Sequence, residues 1–231
     1  MPVRGGQVQV RDAESARQRA GFDRLARFYD ALLFLTSGNA LHASQVDCLA
    51  RIAAKSRILL VGGGTGRLAA KIARELAPER LLCVDLSTKM CESTERHLRK
   101  VPGCPSEVVQ ADIRNFMPEG RFDVVMTPYL LDVFSAAELP DVVRRLEGML
   151  ERHGVWLVAD FTHPDCFNGP RRMLQKAVLA LLYWFFRLTC SISARQLPDI
   201  DSVLFAHGFR KTWTSLRFFR TLSSKAYSRQ A

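Results

Sequence analysis

The sequence predicts an α/β fold: a doubly wound, mostly parallel seven-stranded sheet with helices on both faces, an antiparallel C-terminal hairpin, an N-terminal helical addition and a helical lid insertion. Three observations predict it. Apolar, β-branched runs of strand length alternate with helical patterns through most of the chain, the signature of parallel βαβ units. A glycine cluster, Gly62-Gly63-Gly64-Thr65-Gly66, joins the first such run to a helix. The chain then ends on "FRKTWTSLRFFRTLSSKAYSRQ", which reads as two strands of a hairpin and not as another strand-helix unit.

At 231 residues and 48% apolar composition the chain can bury a full core, so one α/β domain with small additions is expected. The additions fall at residues 1–40, an arm and amphipathic helix, and at 163–195, a helical insertion. Residues 41–162 form the α/β core, and 196–231 supply a last helix and the hairpin.

Taken in order, residues 1–12 read as a loose arm. From Ala13 onward, Phe22, Leu25, Phe28, Tyr29 and Leu32 recur at helical spacing, and Ser37-Gly38-Asn39 breaks that helix. "ALHASQVDCLARIAAK" is a second helix leading straight into a first strand at 58–62. Residues 67–75 form the helix after the glycines, with Leu68, Ile72 and Leu76 at spacing four and no breaker until Pro78. "RLLCVDLS" is a second buried strand ending in Asp85, and "TKMCESTERHLRK" a helix that Ser87 can cap. "SEVVQADIRNF" gives a third strand ending at Asp112, and "RFDVVMTPYLLDVF" a fourth. "AAELPDVVRRLEGMLERHG" is a helix closed by Gly154, and "VWLVADF" a fifth strand. The helix "LPDIDSVLFAHG" precedes the hairpin.

The glycine turn is the chemical signal. Glycine accepts positive φ and lets a ligand approach the backbone, while the unpaired N–H groups of a helix start carry partial positive charge. Two chemistries use such a turn. The dinucleotide fingerprint needs a small third residue, but Arg67 stands there, although Asp85 lies where a ribose-binding acid belongs. Hydride transfer of the short-chain type would also need a Tyr-x-x-x-Lys pair. None of Tyr29, Tyr129, Tyr183 and Tyr227 has lysine four residues on.

"LLVGGGTG", "VDLS", "QADIRNF" and "FDVVMTPYLLDVF", in that order, resemble the class I S-adenosylmethionine-dependent methyltransferases. The likeness covers about 40–230 and is strongest over 58–135. The resemblance implies that S-adenosylmethionine rests against Gly62, Gly64 and Gly66, with Gly63 and Thr65 between them. It implies that Asp85 takes both ribose hydroxyls with Leu86 beside it, and that Asp112 meets the adenine amino group with Ile113 against the ring. Thr127 on the fourth strand joins the same set. Gly63 replaces the Cys, Ala or Ser common within the loop. An acceptor-only carboxylate suits a vicinal diol, and the carboxyl end of a strand is where open α/β sheets bind ligands. Helix capping is the plain alternative for Asp112. "FDRLARFYDALLFLTSGNAL" adds a likeness to the quinone and small-molecule branch of the family, which implies Tyr29 as a residue folding over the cofactor; a core aromatic is the alternative.

On the acceptor side, Tyr129 and Asp132 follow the fourth strand and could orient or deprotonate an acceptor, with Asp160 and His163 ending the fifth strand nearby. A cap or turn role is the alternative for Asp132. No Asn-Pro-Pro-aromatic motif follows strand four, which argues against amino methylation of DNA, RNA bases or glutamine. The expected activity is methyl transfer to a small or lipophilic acceptor, a quinone-like or aromatic hydroxyl compound being one class. A cofactor-binding regulator or assembly partner without turnover, and an RNA methyltransferase, are the rivals. Nucleic acid is not the expected partner, because the basic tail is interleaved with long apolar runs.

Six cysteines without a CxxC pair suit reduced thiols, and five scattered histidines show no ligand spacing, so no metal is expected. The N-terminal residues lack the apolar core of a signal peptide, from which a cytoplasmic protein is expected. The net charge of +10 is uneven: residues 171–231 hold 11 Lys/Arg against 2 Asp/Glu, a balance of +9. Such an excess fits a face meeting an anionic partner, whether a lipid surface, a nucleic acid or an acidic substrate, or simply a solvated basic surface. Within it, "RRMLQKAVLALLYWFFRLTC" carries ten uninterrupted apolar residues, Ala177 to Phe186, too short a run to span a bilayer. At about 100° per residue, Arg172, Lys176, Tyr183 and Arg187 share a narrow stripe and the rest of the helix is apolar. A buried cap, a lid for a lipophilic acceptor touching an anionic membrane, and an oligomer interface all fit that pattern.

Overall fold

The structure, a computed structural model, describes residues 4–26, 39–166 and 168–229. Seven strands form one sheet: β1 (Arg57–Val61), β2 (Arg80–Asp85), β3 (Ser106–Gln110), β4 (Phe122–Pro128), β5 (Leu150–Phe161), β6 (Phe209–Arg217) and β7 (Leu222–Arg229). Their order is β3-β2-β1-β4-β5-β7-β6. β1 pairs in parallel with β2 and β4, β2 with β3 and β4 with β5, whereas β7 runs antiparallel to both β5 and β6. The order reverses between β2 and β4 around β1, so the crevice where open α/β sheets take ligands lies above the end of β1.

Burial on both faces explains why the central strands are apolar at every position. Leu59, Val61, Leu82, Val84 and Trp156 face α5 (Leu139–Met149) and α7 (Ile200–Ala206). Ile58, Leu60, Leu81, Met126 and Leu157 face α3 (Arg67–Leu76), with α2 (Ala40–Asp47) and α4 (Thr88–Leu98) completing that layer. A third cluster lies beyond the sheet. There Phe22 and Leu25 of α1 (Arg4–Leu25) pack on Leu179, Tyr183 and Cys190 of α6 (Gly169–Cys190). Val133 and Phe161, just past the carboxyl ends of β4 and β5, join this cluster to the sheet.

Several boundaries differ from the sequence reading. Helix α1 begins at Arg4, so most of the expected arm is helical. The second helix does not run straight into β1: α2 stops at Asp47, a 3-10 turn follows, and Ile52 is extended. β3 ends at Gln110, leaving Asp112 in the loop beyond it. Gly154 closes no helix. Leu150 already pairs with Phe122, and a register shift follows before Val124 meets Val155. A Cβ on Gly154 would come within 2.9 Å of the Asp123 carbonyl oxygen and closer still to Leu150, so glycine is needed for strand packing.

Candidate functional site

The turn after β1 is tied on both sides. Gly62, Gly64 and Gly66 have φ of 72°, 64° and 88°, the left-handed region that favours glycine. The Gly62 N–H donates to the Val84 carbonyl at 2.9 Å, while Thr94 and Ser93 of α4 donate their hydroxyls to the carbonyls of Gly64 (3.2 Å) and Thr65 (2.9 Å). A Cβ on Gly66 would lie 2.4 Å from the Thr94 Cα, and one on Gly62 would lie 3.1 Å from Leu130. Gly66 therefore lets α4 approach, while Gly62 faces the ligand crevice.

A cleft above this turn encloses about 740 Å³ of space, open mouth included. Of the residues predicted to hold a cofactor, Gly62, Gly64, Asp85, Leu86, Asp112 and Ile113 line it, and so does Tyr129. Gly63, Thr65 and Gly66 shape the turn from outside the cleft wall. Asp85 accepts the N–H of Ser87 at 2.9 Å, with the Gly64 and Leu86 N–H groups also donating. Burial nevertheless pushes its carboxyl up to about 6, and the nearby charge of Asp23 adds to that. Asp23 reaches in from α1, accepting the Ser87 hydroxyl at 2.6 Å and the Lys89 N–H at 3.1 Å.

Asp112 is more committed than the sequence suggested. Arg114 donates to it from its backbone N–H, Nε and a terminal guanidinium nitrogen (2.8 to 3.1 Å), and Ser15 of α1 donates at 2.5 Å. Burial alone would raise this carboxyl, but the Arg114 and Ser15 bonds outweigh it and hold Asp112 below the usual carboxylate range. The same Arg114 reaches Gln18 at 3.0 Å, and Gln18 and Phe22 line the cleft. Helix α1 is thus latched over the Asp112 end of the cleft. Sequence reasoning missed Ser15, Gln18 and Phe22, which only α1 docking brings to the cleft, and Arg114, whose one signal was its place two residues from Asp112.

The acceptor-side residues are not brought into one cavity. Tyr129, at a strained φ of 50°, lies on the cleft wall, hydrogen-bonded to the Ser44 hydroxyl at 2.7 Å and edge-on to Phe161 at 5.4 Å. His163 instead lines a second cavity with Asp160, Asp201 and Lys225. Asp132 is buried behind the wall formed by its neighbours Leu130 and Val133. The Asp132 backbone N–H donates to Asp160, and neither Asp132 Oδ1 nor Asp160 Oδ2 has a partner among the described residues. Desolvation raises Asp132 to about 7, and desolvation plus the Asp132 charge raises Asp160 well above its usual value, the two carboxyls acting on one another. Thr127 is corrected to a structural role: it is fully buried and accepts the Trp156 indole N–H at 3.0 Å. Tyr29 lies outside the described residues.

The comparisons bear on this geometry. Residues 58–154 match the family described as "Methyltransferase domain". The chain is 27% identical over 189 residues to the ubiquinone/menaquinone biosynthesis C-methyltransferase UbiE of Pseudomonas putida, covering 79% of this chain and 71% of that protein. It is 26% identical over 163 residues to a demethylmenaquinone methyltransferase of Chlamydia trachomatis, covering 70% and 68%. Among solved structures, the fold is shared with the 1,6-didemethyltoxoflavin-N1-methyltransferase of Burkholderia thailandensis, which was crystallised with S-adenosylhomocysteine. There the TM-score is 0.64 at 15% identity, over 100% of this chain and 93% of that one.

Proposed function

We propose that the chain is a class I S-adenosylmethionine-dependent methyltransferase and that its acceptor is a small lipophilic compound, of the quinone-like or aromatic hydroxyl class. One observation carries this reading: beside the glycine turn the cleft wall is Phe22, Met90, Tyr129, Leu130, Val133 and Phe134, an apolar and aromatic surface under α1 and α6. The names of the Pseudomonas and Chlamydia relatives, both quinone-pathway methyltransferases, support the same class.

The residues present fit the cofactor. Asp85 offers acceptor oxygens at the carboxyl end of β2, Gly62 and Gly64 open the backbone beside it, and Ile113 supplies an apolar face for a ring. When bound, S-adenosylmethionine supplies a methyl group on a sulfonium, which departs as a neutral thioether. The protein then positions the partners and excludes water. Phe22, Leu130 and Val133 keep the acceptor end dry, and Tyr129, at a strained φ, stands on the same cleft wall. An acceptor oxygen or activated carbon must lose a proton, and the buried Asp132–Asp160 pair, both carboxyls raised by desolvation, stands behind this wall. We assign it the role of taking that proton.

The test is methyl transfer from labelled cofactor to a panel of demethylated quinones and hydroxylated aromatic compounds, set beside a panel of RNA and peptide acceptors. Turnover confined to the lipophilic panel is expected. Turnover only on RNA or peptide would overturn the reading, as would tight cofactor binding with no turnover on any panel.

A further inference from the structure

We propose that the outward face of α6, together with the β6–β7 turn, is a docking surface for an anionic lipid bilayer. Helix α6 buries one side only. Gln175, Leu179, Tyr183 and Cys190 face α1 and the sheet end, and the Tyr183 hydroxyl donates to the Asp132 carbonyl at 3.3 Å. The opposite side carries Met173, Leu181, Trp184 and Leu188, exposed by 74, 66, 61 and 64%. At about 100° per residue these four lie within about 80° of one another. The sequence stripe is thereby reinterpreted: Tyr183 points inward, in line with Arg172 at the start of the helix, while Lys176 and Arg187 flank one edge of the apolar strip and Arg171 lies beyond its other edge.

A second apolar protrusion stands at the same end of the sheet. Phe218, Phe219 and Arg220 take φ of 46°, 53° and 67°, three consecutive non-glycine residues in the left-handed region, and Phe219 is 80% exposed. The Thr162 N–H donates to the Thr221 carbonyl at 2.8 Å, tying this turn to the segment that leads into α6. Strip and turn therefore share the carboxyl end of the sheet, where the cleft opens.

By length and composition α6 is the one described helix long and apolar enough to cross a membrane. Its packing argues for lying flat, because Tyr183 and Leu179 stay in the protein's own core. An apolar strip with basic flanks is the pattern of an interfacial helix, with aromatic side chains at the headgroup level and cationic ones toward phosphates. Charge complementarity selects the occupant: the quarter of the chain containing both protrusions carries +9, with Arg187, Arg195 and Arg220 exposed beside them. Nucleic acid would use the charge but leave the Leu, Met and Phe side chains in water. The inference stands whatever the acceptor is.

The experiment uses the full chain with phosphatidylcholine vesicles, with and without phosphatidylglycerol, read by co-sedimentation and by Trp184 emission. The parent should sediment with the anionic vesicles, with blue-shifted emission that Trp184→Phe removes. Leu181→Glu combined with Trp184→Glu, both at exposed positions, should lower partitioning by about tenfold or more while cofactor binding stays unchanged. Arg187→Ser and Arg220→Ser should each lower it about fivefold, an effect lost in high salt. Equal sedimentation with and without vesicles overturns the proposal, as do unchanged partitioning of the double variant and stronger retention on RNA. So does a Trp184 already shielded from acrylamide in vesicle-free protein, or a dimer that the double variant dissolves without any vesicle binding.

Discussion

Replacing Asp85 by Asn separates what the cofactor needs from what the fold prefers. In the folded chain this carboxyl is raised from 3.8 to about 6. At about 1.4 kcal/mol for each pH unit, that corresponds to about 3 kcal/mol for a fully enclosed group. Asp85 keeps some of its surface in the open cleft, where water screens it, so about 1–2 kcal/mol is expected. The sign follows from linkage. A raised carboxyl binds its proton more tightly in the folded state, so stability falls as pH rises from about 4 to about 6, and the full cost is present at pH 7. Asn has no proton to lose. It also turns an amide group toward donors such as the Ser87 N–H, but that penalty does not change with pH. Urea unfolding of both proteins without cofactor, at pH 7.5 and pH 4.5, gives four free energies. Asn should gain about 1–2 kcal/mol on the parent in going from the lower to the higher pH. In calorimetry with S-adenosylhomocysteine, Asn should lose about 1–3 kcal/mol of affinity. The parent's own affinity should weaken as pH falls through about 6, when its carboxyl protonates. A stability difference identical at both pH values would refute the desolvation argument, and an unchanged affinity would remove Asp85 from the site.

Other substitutions test neighbouring regions. Asp132→Asn should lower kcat about 10²-fold, and it should abolish the rise in rate through about pH 7 expected of the parent as Asp132 ionises. A parent rate flat across that range would dismiss the pair as a base. Gly66→Ala must force a side chain onto a φ of 88° and against the Thr94 backbone, so thermal unfolding should report a loss of about 2–4 kcal/mol. Gly148→Ala in α5 meets nothing within 4 Å and should instead gain about 0.5–1 kcal/mol.

The sheet was legible because burial on both faces demands continuous apolar runs, as in "RILLV" and "RLLCVD", and because glycines and an acid follow those runs at fixed places. Ser87 was legible as a cap for the same local reason, and its hydroxyl accepts the Met90 N–H. Asp85 could be placed because a strand end fixes its position within the sheet. What escaped was set by contacts distant in sequence. Thr127 sits on the right strand, but the Trp156 indole, 29 residues away, claims its hydroxyl. Gly154 looked like a helix stop only because the β4–β5 register, which uses it, cannot be seen in one segment. His163 and Tyr129 end neighbouring strands, yet line different cavities.

The pairing of α1 with α6 marks the limit of local reading most clearly, and it yields a last prediction. Neither helix shows its partner in its own pattern: the expected stripe on α6 put Tyr183 among the basic residues, whereas its ring is buried against α1 and the sheet end. The contact turns on Gly21, which the sequence offers as an ordinary mid-helix glycine. A Cβ there would stand 2.4 Å from the Cys190 Cα, and as close to the Thr189 carbonyl oxygen, so the two backbones touch only because residue 21 has no side chain. Gly21→Ala removes a poor helix former and would stabilise an isolated α1 by about 1 kcal/mol. In the folded chain the added methyl must push the α1 and α6 backbones apart, which overpacking places at about 1–3 kcal/mol in the opposite direction. That separation pulls Ser15 from Asp112, Gln18 from Arg114 and Asp23 from Ser87. Thermal unfolding and a cofactor titration on one variant therefore weigh local propensity against tertiary contact. Loss of both stability and affinity is expected. A stabilised variant with parental affinity would show that α1 does not depend on α6 for its place over the cleft.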